Sequence, residues 1–182
     1  MGRKKNVKLW NHLLNNLKDF RIEAGWFENT RYDDSTSVGF VAKIQNYGAV
    51  INVTEKQRNY LHYIGLHLKD STGQIIIPPR PFMDNAAARV NGVEGHKVLL
   101  QEMLRVFEGR QTIEQATNRL GSWLQGIIQE EIKKINIPAL SGATIEIRNN
   151  QYDSKSSNKS TKPLNATGVM FNTVQHKVSI KT

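Results

Sequence analysis

Residues 78–82 read Pro78-Pro79-Arg80-Pro81-Phe82, and no regular element can run through them. Each proline lacks a backbone donor and holds φ at about −65°. A helix interior and a central strand are both excluded, so a rigid, extended connector is predicted. Arg80 offers its fork of donors to a carboxylate or carbonyl, as an internal clamp or at a subunit contact. Phe82 is expected to plug the core.

Two long helical patterns follow the connector, at about residues 83–107 and 112–135. The second carries the fuller signal. Thr112 and Gln115 form a capping box, and Ile113, Ala116, Leu120, Leu124, Ile127 and Ile135 trace one face, which Ile128 and Ile132 widen. Glu131 is the one charge on that stripe and is placed at its edge. Gly121 costs about 1 kcal/mol relative to alanine inside a helix, so close approach of another backbone is expected there. Pro138-Ala139-Leu140-Ser141 ends the pattern. Thr144 to Arg148 suits a short strand or a helix start. Residues 149–163, nearly devoid of apolar side chains, read as a mobile polar loop. Residues 167–171 and 174–180 read as one or two closing strands.

Shorter signals precede the prolines. Trp10, Leu13, Leu14 and Leu17 share one side of an amphipathic helix over about residues 7–20, which covers a core or enters a partner groove. Residues 21–27 alternate like a strand, and the turn-forming stretch 29–37 follows. Val38, Val41, Ile44 and Tyr47 recur at helical spacing up to Gly48. Thr54 and Gln57 form a second capping box, opening a helix that stops at Gly65. Leu66-His67-Leu68-Lys69 and Gln74-Ile75-Ile76-Ile77, separated by Asp70-Ser71-Thr72-Gly73, predict a hairpin over 66–77. The fold class expected is α+β: a small mixed or antiparallel sheet packed against one or two long helices, with an N-terminal amphipathic helix. Residues 1–20 form that basic helix and 21–182 a single domain, with an excursion at 54–74.

Composition narrows the chemistry. The chain has no cysteine, which removes disulfides, thiolate catalysis and cysteine zinc sites. No apolar run reaches the roughly 18–20 residues of a membrane span, and no secretory signal is evident. The net charge of +9 sits at the two ends: +5 over residues 1–21, +4 over 150–182, and zero between. Basic ends suit phosphate, an acidic protein surface or plain solvation.

Convergent catalytic groups are few. His62 and His67 lack a cysteine or carboxylate at ligand spacing, so a surface pair outranks a metal site. Asp33-Asp34 belong to a turn. Glu130 and Glu131 diverge by about 100° on a helix. Neither a Walker loop, a dinucleotide fingerprint nor a nucleophile elbow occurs. The chain also lacks a zinc finger, an RNP motif and a basic recognition helix, leaving only nonspecific phosphate contact open. No enzymatic activity, metal or cofactor is predicted.

An ordered set of motifs remains: Gly25-Trp26, Val41-Ala42-Lys43-Ile44-Gln45-Asn46-Tyr47-Gly48-Ala49, Ile77 to Phe82, Pro138 to Ser141 with Thr144 and Arg148, and Lys162-Pro163-Leu164-Asn165-Ala166-Thr167-Gly168-Val169-Met170. Together they resemble the bacteriophage neck and tail-completion proteins, a group that also includes virion morphogenesis and minor tail proteins. The resemblance spans roughly residues 21–180. It implies a structural protein of the phage or prophage head–tail junction, assembled in the bacterial cytoplasm and free of catalysis and cofactors. Its implied partners are other virion proteins (head–tail connector, tail tube or terminator) and copies of itself, in an oligomer or ring. Nonspecific DNA contact is possible and no membrane is involved. Trp10, Tyr60, His62, Tyr63, His67, Arg80, Lys155, Lys159 and Lys162 are the interface candidates. The alternative is a small basic protein that binds nucleic acid without sequence preference.

Overall fold

The computed structural model describes residues 7–8, 10–12, 15, 19–63, 66–142, 144–145, 161–164 and 167–180. Along them run β1 (Phe20–Gly25), α1 (Val38–Tyr47), β2 (Ala49–Asn52), α2 (Glu55–Tyr63), β3 (Gln74–Ile77), α3 (Phe82–Asn91), α4 (Val93–Phe107), α5 (Ile113–Lys134), α6 (Val169–Asn172) and β4 (Gln175–Ile180). The chain is α+β. In place of one sheet, two antiparallel ribbons of two strands each form among the described residues, β1–β4 and β2–β3. Contacts divide the chain into two units: residues 1–27, 83–131 and 174–182, and residues 28–82 and 132–173.

In the first unit, Phe20 lies opposite Ile180, Ile22 opposite Val178 and Ala24 opposite His176, while Glu23 faces Lys177. Directly opposed residues share a face, so apolar pairs gather on one side of the ribbon and an opposite-charge pair lies on the other. His176 reaches α5, where its Nδ1 stands 3.0 Å from Gln125 Oε1. Gly121 makes that approach possible, because a Cβ there would overlap the His176 ring. A close approach was expected at Gly121, and its agent is a side chain, not a backbone. Thr112 and Gln115 close the capping box at the start of α5, with Gln115 N–H donating to Thr112 Oγ1 at 3.2 Å and Thr112 N–H to Gln115 Oε1 at 3.0 Å.

The helix expected over 83–107 is two helices, interrupted at Gly92. The corner is tight: a Cβ at Gly95 would run into the Val90 carbonyl, so α4 starts against the end of α3 only with glycine there. Trp10 stands edge-on to Phe107 of α4, ring centroids 5.7 Å apart. Val7, Lys8, Trp10, Asn11, His12 and Asn15 are helical, and Trp10 serves the packing role weighed for that helix.

In the second unit, Ser37 caps α1 by accepting from Phe40 N–H at 3.4 Å, and α1 ends at Gly48 as its pattern predicts. Gly48 has φ 76° and ψ 171°, an extended mirror conformation open essentially to glycine, not the left-handed helical one. It sends the chain directly into β2, which the sequence reading missed. β2 pairs with β3 in the register Ala49–Ile77, Val50–Ile76, Ile51–Ile75 and Asn52–Gln74.

The 66–77 hairpin therefore does not form. Arg58 of α2 donates to the carbonyls of Lys69 at 3.0 Å and Thr72 at 2.8 Å, with a longer contact to Leu68 at 3.5 Å. Those carbonyls are withdrawn from any ladder, and β3 takes β2 as its partner. The Thr54–Gln57 capping box is present, with Gln57 N–H donating to Thr54 Oγ1 at 3.2 Å. Residues 169–171, expected in a strand, fall in the short helix α6. Gly168, at φ 73° and ψ −7°, turns the chain into it; the strand begins later, at Gln175. Gly142, Thr144 and Ile145 are helical, the second option for that stretch. The loop expected at 149–163 lies outside the described residues except for 161–163, where Pro163 is buried.

Candidate functional site

Arg80 organises the second unit. Its side chain is 4% exposed. Nε and Nη2 donate to Pro138 O at 3.2 and 3.1 Å, and Nη1 donates to Gln45 Oε1 at 3.0 Å and Pro78 O at 3.4 Å. Its backbone N–H donates to Gln45 O at 2.8 Å. The proline connector, α1 and the segment after α5 are thus locked together by one guanidinium. Every acceptor is a neutral carbonyl oxygen, and burial pushes the guanidinium pKa down. Of the two roles weighed for Arg80, the internal clamp is the one this geometry supports.

A cavity of about 570 Å³ opens beside Arg80. Val41 and Gln45 of α1, Ile75 to Ile77 of β3, Pro78, Ala139 to Ser141, Thr144, Thr167, Gly168 and Met170 all contribute to its wall. Four of the motifs behind the phage resemblance, dispersed over more than a hundred residues of sequence, meet around this one void. Its lining is mainly apolar. Polar groups occur at the Tyr32 hydroxyl, whose pKa is raised by burial and then by Asp34, and at Ser141 and Thr144, whose hydroxyls stand 2.9 Å apart.

The same unit exposes apolar groups in ordered sets. Val50 and Ile76 face each other across β2–β3 and are 61% and 71% exposed. Phe40 and Tyr47, seven residues apart and so on one side of α1, are also exposed. Tyr60 and Tyr63, both interface candidates, project from α2 in the same state. None of Phe40, Tyr47, Val50 and Ile76 was among the interface candidates. The i, i+7 spacing marks the first two, while Val50 beside Ile51 and Ile76 between two isoleucines carry no alternation that would mark them.

His62 and His67 come together, with Nδ1 atoms 2.6 Å apart and ring centroids 4.3 Å apart. The pairing follows from the Arg58 clamp, which folds the segment after α2 back upon that helix. Both rings are exposed. Among the described residues no cluster of three or more His, Asp or Glu side chains is placed to hold a metal ion. Lys162 is exposed beside buried Pro163 and lines a separate void of about 370 Å³. Lys155 and Lys159 lie outside the described residues. Asp34 accepts from Thr36 N–H at 2.9 Å, which holds its carboxyl below the ordinary value and fits the turn role.

In the first unit, Glu131 is buried, not at the edge of its stripe. Arg89 of α3 explains this. Its guanidinium reaches Glu131 and Glu130 at 2.8 Å each and grips Glu94 through two bonds at 2.8 and 2.9 Å. Donation to the Glu94 carboxylate and then to Glu130 drives the Arg89 pKa further up. The two consecutive glutamates, expected to diverge, converge upon one cation because Arg89 sits between them. Nothing local announces it, since the partner is 42 residues away from Glu131.

No family model, curated protein or solved structure matches the chain.

Proposed function

We propose that the chain is a structural virion component of the phage head–tail junction, of the neck or tail-completion type. It acts by associating with copies of itself and docking between head-side and tail-side proteins such as the connector, tail tube or terminator. The observation that carries the reading is the outward-facing Val50–Ile76 pair, accompanied by exposed aromatic residues on α1 and α2 of the same unit. Scattered exposed apolar residues are ordinary on a monomer, but sets ordered on successive elements mark contact surfaces. The convergence of the resembling motifs around one cavity supports it further. Among the described residues no helix is long and apolar enough to cross a membrane, which fits an assembly role away from lipid.

The test is assembly in a phage or prophage that encodes the chain. Val50→Lys leaves the strand exposed and charged, and should leave heads and tails accumulating apart in electron micrographs. Normal yields of joined, infectious particles from that variant and from a deletion of the gene would remove the proposal.

A further inference from the structure

We infer that the cavity beside Arg80 receives an extended, apolar segment of a partner polypeptide that carries a carboxylate. The inference names the chemistry of the docking partner and rests on the virion role only for that partner's identity. Charge is the first argument. A guanidinium has five N–H donors, and Arg80 commits four of them to carbonyl oxygens. Among the described residues the second N–H of Nη2 meets no acceptor, on a residue that lines the cavity. Among the described residues the cation is buried among neutral dipoles and meets no carboxylate. A carboxylate is its natural complement, and in a low-dielectric site the pairing is strong once hydrogen bonds satisfy both groups.

The strand edge is the second argument and selects a polypeptide over a small molecule. Ile75, Ile76 and Ile77 all line the void. Successive strand side chains point to opposite faces, so a void touching three in a row runs along the edge of β3. The other edge of β3 is filled by β2. Among the described residues the open edge has no strand partner, and unpaired backbone groups there are a template for an added strand. Val41 and Met170 supply apolar wall for its side chains, and the volume of about 570 Å³ lies in the range of ligand sites.

The experiment selects displayed random peptides on the purified full chain, then measures synthetic versions by calorimetry. Enriched peptides should carry Asp or Glu within an apolar, extended run. Replacing that acid by its amide should weaken binding at least about tenfold. Ser141→Trp fills the cavity from an exposed wall position and should abolish binding while thermal unfolding stays cooperative. Arg80→Lys, if folded, should weaken it. No enrichment, enriched peptides without an acid, or indifference to Ser141→Trp would overturn the inference. So would saturable binding of hexanoate in the cavity with no peptide binding. Val50 does not line the cavity, so the two proposals fail separately. Normal virions from Val50→Lys and from the gene deletion, alongside acid-dependent peptide binding, remove the virion role and keep the site; the reverse removes the site alone.

Discussion

Gly48→Ala should destabilise the second unit by about 3 kcal/mol, from two causes that act together. The first is backbone strain. At φ 76° and ψ 171° an alanine costs about 1–3 kcal/mol. The second is space: the added Cβ would stand 2.7 Å from Ile77 O and 3.0 Å from Pro79 N. Both atoms are backbone, one in the β2–β3 ladder and one in a proline ring, so neither can yield cheaply. Forced contacts of this kind cost about 1–3 kcal/mol more. Lower entropy of the unfolded chain returns about 0.4–1 kcal/mol. Urea unfolding followed by far-UV circular dichroism is the assay. With a slope of about 1–3 kcal/mol per molar, the midpoint should fall by about 1–3 M. Tryptophan emission would be a poor reporter, because Trp10, Trp26 and Trp123 all belong to the first unit. Gly73→Ala is the control, since nothing lies within 4 Å of its Cβ position, and should shift stability by no more than about 1 kcal/mol. A loss below about 1 kcal/mol for Gly48→Ala would refute both the strain and the close approach.

The two glycines of α5 should respond in opposite senses. Gly126→Ala, with open space around its Cβ, should stabilise by about 0.5–1 kcal/mol, while Gly121→Ala should destabilise through the His176 ring, both read from thermal midpoints. Arg89→Met should cost about 2 kcal/mol in urea unfolding, because it removes the guanidinium bonded to the buried Glu131 carboxylate; the cost stays at the low end since Arg89 and Glu130 are partly in solvent. The depressed Asp34 pKa fixes a sign. Its hydrogen bond supports the 31–37 turn fully above the ordinary carboxylate pKa and is lost as pH falls through the lower folded value. The Thr36 amide shift should follow that acid transition in the native protein and be flat in Asp34→Ala.

What the sequence disclosed was local. Thr54 with Gln57 and Thr112 with Gln115 are capping boxes whose partners lie within one turn, and both form as spelled. Ser37 and Gly48 bound α1 for the same reason. The misreadings arise where a distant group decides. Leu66 to Lys69 alternates well enough for a strand, yet Arg58 takes its carbonyls. The 83–107 pattern is continuous in hydrophobicity, yet Gly95 permits a corner that periodicity cannot register. Glu131 looked like an edge residue because its cation comes from another helix. The candidate site was half legible: Arg80 and its proline frame stood out, while the void, the open edge of β3 and the apolar faces of α1 and β2 depend on pairings no short window contains.

The β1–β4 ribbon joins Phe20 to Ile180, residues far apart in the sequence. A ribosome releases β1 before β4 and holds it without that mate until the residues between them have been made. The second unit, whose residues fall between those strands, is free to settle first. A nascent product halted before residue 174 would carry an orphan strand with a bare apolar side, ready for chaperones or for another such fragment.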